Sequence, residues 1–103
     1  MIYIKIHHTD NGNMIGMCDS TLIDKVLSEG DIEINIRDYS DFYKGELVDK
    51  QKAVSMLDPR MLYSANIVGK EAVDVAVKAE ILHKDGVKMV NKVPYANAFK
   101  IKY

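Results

Sequence analysis

A thiol, an amine and an imidazole are the first side chains able to do chemistry together: Cys18, Lys5 and His7. A nearby ammonium lowers a thiol's pKa and an imidazole can take its proton, which together make a nucleophile. These residues share a face if the chain turns back at Asn11-Gly12, a dipeptide suited to the two positive-φ positions of a type I′ turn. That turn sets Asp10 against Asn13, His8 against Ile15 and Ile6 against Met17, so Lys5 faces Cys18 and His7 lies diagonal to it. The alternative is a structural cysteine, since free cysteine is among the most buried residue types. Asp10, Asp19 and His7 offer a second catalytic set, with the residue types of a hydrolase. Three histidines and one cysteine show no zinc-ligand spacing, so no metal is expected, and no cofactor either.

Other residues suit binding better than catalysis. Between Asp38 and Gly45 the chain carries Tyr39, Phe42 and Tyr43 beside Lys44. Exposed, these rings would stack on a base or anchor a protein partner; folded back, Phe42 and Tyr43 would cap the core. Asn66 to Lys70 enters a helix with free N–H groups and a lysine, a phosphate-holding arrangement. One glycine is too few for a P-loop, however, and Glu71 in the first helical turn repels an anion, so a structural helix–helix turn is the plainer reading.

Charge is unevenly spread. Net charge is −1, yet residues 1–51 hold five Lys/Arg against ten Asp/Glu and residues 52–103 hold nine against five. From Gly86 onward there are four lysines, Lys88, Lys92, Lys100 and Lys102, and no acid. Alternation sets Lys100 and Lys102 opposite Phe99 and Ile101, and Lys88 opposite Val87 and Met89. Together with Lys5 and Tyr3 they would form a basic sheet face interrupted by aromatics, as single-stranded RNA binders use. Lysines that merely keep edge strands from pairing with other sheets explain the same pattern. A pI near 6.3 argues against a high-affinity phosphate binder.

The elements that must position these groups follow from periodicity. At 103 residues the chain is one domain, residues 1–103, with one core. Ile2, Ile4, Ile6, Ile15 and Met17 fall on one hairpin face, and Ile32, Ile34 and Ile36 mark a further half-buried strand. Ser20 with Leu22, Ile23, Val26 and Leu27, closed by Gly30, predicts a helix over about 20–29. Asp49 caps a helix through about Leu57, and Asp58-Pro59 restarts one. Residues 61–68 fit either a helix or a strand, and helix is the favoured reading. Lys70 to Leu82 is a strong helix and the most buried one, and Val87–Val90 and Ala96–Ile101 close the chain as strands around the Asn91–Pro94 connection. The class is α+β: an antiparallel or mixed sheet of about five strands, in the order ββα β ααα ββ, with helices over one face and the other face wet. No apolar run approaches the about 20 residues that span a bilayer and no signal-peptide block opens the chain, so a cytoplasmic protein with no membrane contact is expected.

Four separated segments carry a family resemblance: Cys18-Asp19, Phe42 to Leu47, Ala65 to Gly69 with Glu71-Ala72-Val73, and Val93 to Asn97. In order and spacing they resemble the archaeal family catalogued as domain of unknown function 424. The resemblance implies an archaeal cytoplasmic protein of this length and brings no activity or catalytic residues. The functional expectation is therefore a non-catalytic interaction module that contacts RNA or a protein through Tyr39, Phe42, Tyr43, Lys44, Lys88, Lys100 and Lys102, in a setting compatible with translation. The alternatives are a small enzyme using Cys18 or the Asp/His set, and a subunit that works only as a homo-oligomer.

Overall fold

Alternating isoleucines at the chain start build β1 (Ile2–Thr9), which pairs antiparallel with β2 (Gly12–Asp19) in a computed structural model describing residues 1–100. Ile2, Ile4, Ile15 and Met17 all point to one side and are at most 2% exposed. The turn differs from the expected one. Gly12 has φ +128°, whereas neither Asp10 nor Asn11 has positive φ. The Thr9 hydroxyl accepts from Asn11 N–H at 3.1 Å and donates to the Gly12 carbonyl at 2.6 Å, which holds a turn centred on Asp10 and Asn11. Ile6 consequently pairs with Ile15 and Ile4 with Met17. A slip of two residues keeps every side chain on its expected face but changes its neighbour. Lys5 now faces Gly16, and Cys18 faces Tyr3.

The hairpin extends into a six-stranded mixed sheet with β5 (Glu46–Val48), β6 (Leu62–Val68), β7 (Lys88–Val90) and β8 (Val93–Phe99), ordered β5-β1-β2-β6-β8-β7. Only β2 and β6 run parallel; the other four pairings are antiparallel. Residues 61–68 are thus largely strand, against the favoured helix reading. Tyr63, Ala65 and Ile67 carry the period-2 signal, and hydrogen bonding to β2 on one side and β8 on the other decides the ambiguity. One face of the sheet is covered by α2 (Lys50–Ser55) and α3 (Lys70–Lys78), with Ala53, Leu57, Ala72, Val75 and Ala76 packed on Ile4, Met17, Ala65 and Ile67. Asp49 caps α2 by accepting from Lys52 N–H at 2.8 Å, as expected. After Asp58-Pro59 there is a single 3-10 turn, and α3 stops at Lys78, short of Leu82, because Glu80 takes φ +63°.

The second face is not simply wet. A separate two-stranded hairpin, β3 (Val26–Glu29) and β4 (Ile32–Asn35), lies over it with the one-turn α1 (Ser40–Tyr43). Leu27, Ile36 and Tyr43 bury against Cys18, Val68 and Val90. This replaces the helix expected over 20–29. Asp24 takes φ +66° and ends a short 3-10 turn, and Gly30-Asp31 between two apolar-bearing runs turns β3 into β4. The mirror-image turn expected at Asn11-Gly12 occurs elsewhere: Asn91 and Lys92 have φ +46° and +67° between β7 and β8. Pro94, read as part of a connection, lies buried inside β8. No helix of the described residues is long and apolar enough to cross a membrane.

Candidate functional site

The catalytic set does not assemble. Cys18 is fully buried beneath β3, β4 and α1, and burial, with the Asp19 and Asp24 charges adding, pushes its thiol up to about 12. A thiol that stays protonated at neutral pH is no nucleophile. Lys5 donates instead to the Asp41 carbonyl at 2.7 Å. The His7 ring stacks on Phe42 with centroids 4.7 Å apart, and its Nε2–H donates to the Phe42 carbonyl at 3.0 Å. Asp10 lies in the turn before β2 and Asp19 is the last residue of that eight-residue strand, which sets them about 25 Å apart. Asp19 has a different task, taken up below. Among the described residues no three His, Cys, Asp or Glu side chains are grouped so as to hold a metal.

The aromatic loop folds back. Tyr43 is 7% exposed, its hydroxyl pushed up to about 12 by burial and, secondarily, by Cys18, and it meets Phe42 edge-on at 5.3 Å. Phe42 is half-buried, packed over Gly16 and against His7. Neither ring is an open stacking platform, because each fills space above the sheet that the short α1 would otherwise leave empty. Tyr39, at 67% exposure, and Lys44 do face solvent.

The lysines separate as well. Lys44 follows α1, just before the edge strand β5, while Lys88 lies on the opposite edge strand β7 with four strands between. Lys5, on β1, is three strands from β8. Lys88, Lys92 and Lys100 are exposed along the β7–β8 margin, with the Lys100 N–H donating to the Tyr63 carbonyl at 2.9 Å. Lys102 lies outside the described residues.

What the second face leaves open is the middle and far end of β6 and β8. Asn66 pairs with Asn97 and Ser64 with Phe99, so these four project side by side on the face opposite Ala65, Ile67, Ala96 and Ala98. Asn66 and Asn97 are exposed, and Phe99 is 69% exposed. Between β4 and these strands is a hollow of about 250 Å³ lined by Glu33, Ile34, Tyr43, Asn66, Tyr95 and Asn97. A separate hollow of about 560 Å³ lies at the far end of these strands, lined by Ser64, Tyr63, Phe99, Asp10, Asn11 and Lys100. Sequence reasoning placed Asn66 at a helix entrance and left Asn97 without a role. The signal that finds both is the alternation of Ser64 and Asn66 with Ala65 and Ile67, repeated in Asn97 and Phe99 with Ala96 and Ala98.

Fold and site together define a three-layer α+β domain, helices on one sheet face and a hairpin over part of the other, with the Asn66, Asn97 and Phe99 row of β6 and β8 left open. The chain belongs to the family described as protein of unknown function (DUF424), whose sequence model matches residues 6–101. Its fold is that of an uncharacterized conserved protein from Methanopyrus kandleri, with a TM-score of 0.81, 19% identity, and coverage of 99% of this chain and 93% of that one. No curated protein matches the chain.

Proposed function

We propose that this chain is a non-catalytic recognition module that binds single-stranded RNA along β6 and β8. The observation that carries the reading is the open row of Asn66, Asn97 and Phe99 beside the acid-free lysines of the β7–β8 margin. Carboxamides both donate and accept hydrogen bonds, an exposed ring stacks on a base, and ammonium groups meet phosphates. Lys88 pairs with Tyr95 and so lies on the face of Asn97 and Phe99. Lys100, the residue after β8, stands about 17 Å further on, starts from the opposite face by alternation and borders the hollow at the row's end beside Ser64 and Phe99, so the two reach different phosphates of one strand. With a net charge of −1 the affinity is modest and depends strongly on salt. The reading assumes a cytoplasmic setting. A catalytic role draws no support from Cys18, which no substrate reaches.

Filter binding to mixed single-stranded RNA across a salt series tests the proposal. Retention should fall with salt, and Lys88→Ala with Lys100→Ala should reduce the log–log slope by about 1.4, or 0.7 for each lost phosphate contact. Absence of retention even at low salt removes RNA as the ligand and leaves a protein partner or self-association.

A further inference from the structure

We infer that the hollow between β4 and β6–β8 seats one nucleobase bearing an exocyclic amino group, taking adenine, cytosine or guanine in preference to uracil. The inference rests on the RNA reading above and names what that groove selects. At about 250 Å³ the hollow is below the range of about 300–1,000 Å³ typical of drug-sized ligands, so it suits a single ring system, not a whole nucleotide. Its shape is set by rigid parts. Asn66 and Asn97 stand on the paired inner strands β6 and β8, and Tyr43 is fixed by its edge-on contact with Phe42. Tyr95 and Ile34 add half-buried apolar surface.

Selectivity follows from which groups can only accept. The two carboxamides offer both donors and acceptors and can satisfy any base edge. The Glu33 carboxylate, also in the wall, accepts only. Adenine, cytosine and guanine each present an amino donor to it. Uracil presents two carbonyl oxygens and a single N–H, so a carboxylate beside its edge meets like-charged lone pairs. The negative charge also turns the phosphate away from Glu33, toward the margin where Lys88 and Lys100 stand.

Fluorescence anisotropy with labelled oligoadenylate, oligocytidylate and oligouridylate hexamers decides the matter. The expected result is that the adenylate and cytidylate hexamers bind about tenfold or more tightly than the uridylate, the discrimination of one good base-edge contact. Glu33→Gln should abolish most of that preference by raising uridylate binding, because glutamine can donate where glutamate cannot, and Asn97→Ala should weaken all three hexamers while leaving the preference in place. Both substitutions are at exposed positions, and unchanged thermal melting verifies that the variants are folded. Equal binding of all three hexamers, a preference untouched by Glu33→Gln, or binding of all three unweakened by Asn97→Ala overturns the inference while the RNA reading stands. No binding of any hexamer overturns both, and an extended peptide then becomes the occupant to test.

Discussion

At Val68 and Gly69, β6 runs into a joint in which the polar groups are matched. Gly69 N–H donates to the Pro94 carbonyl at 2.8 Å, and Asp19, the one buried charged residue among those described, accepts from Ala72 N–H at 2.8 Å and Glu71 N–H at 3.3 Å. A carboxylate thus crosses from the end of β2 to cap α3 and meets the positive end of its dipole. Three and five residues earlier, Asn66 and Ser64 and their partners Asn97 and Phe99 border open hollows. The two regions share strands, ladder and sheet face order, yet their polar groups serve different ends. Where a polar side chain is buried with its partners in place, its role is architectural; where an ordered pair of amides is left to solvent, it is free to meet a ligand.

Breaking the joint should cost most. Gly69 has φ +112°, and a Cβ there would collide with the Asp19 carboxyl, so Gly69→Ala should destabilise by about 3 kcal/mol or more in urea unfolding. Next comes the helix face above it: Val75, fully buried, should lose about 1–3 kcal/mol on change to Ala, and half-buried Val73 less. Asp19 sharpens the comparison through pH. Burial, opposed by its two N–H partners, raises its carboxyl above the ordinary value of 3.8. The folded state therefore binds the proton more readily than the unfolded chain does, and this group's contribution to stability falls as pH rises from about 3.8 through the raised folded pKa. Asp19→Asn removes that contribution, so wild type should gain on the variant as pH is lowered through the same window, measured by paired melts. The smallest effect belongs to the open end. Asn66→Ala and Asn97→Ala should each change stability by no more than about 0.5 kcal/mol while weakening any ligand held there. Iodoacetamide offers a separate check on the closed region: Cys18 should label only as fast as the domain unfolds.

Legibility in the sequence followed the range of the interaction that decides each element. Strands β1, β2 and β4 and the Asp49 cap rest on alternation and local hydrogen bonds, and these were readable from residues 2–17, 32–36 and 49–57. Residues 61–68 were not, since their apolar spacing satisfies both periods and only the neighbouring strands β2 and β8 choose between them. Val26 to Glu29 was missed for another reason: helical spacing at Leu22, Ile23, Val26 and Leu27 outweighed the Gly30-Asp31 turn that pairs this segment with β4 in a hairpin. That miss hid the cover over the second face and, with it, the burial of Cys18 and Tyr43. Of the anticipated site, Lys88 and Lys100 remain on a margin next to the groove, whereas Lys5 is engaged with the Asp41 carbonyl and His7 and Phe42 with each other. Nothing local marks Asn66 and Asn97 as neighbours, because the register that brings them together is a tertiary fact.

The parallel pairing of β2 with β6 also governs how the chain reaches this state in time. The hairpin β1–β2 closes over a handful of residues, but the hydrogen bond from Ala72 to Asp19 joins positions 53 apart. Ordering that long intervening stretch before its contacts reward it is expected to make the docking of β6 on β2 slower than the closing of the first hairpin. Since the row of Asn66 and Asn97 is brought together by the β6–β8 ladder, the proposed groove is expected to form only once these strands, 31 positions apart at that pair, have found each other.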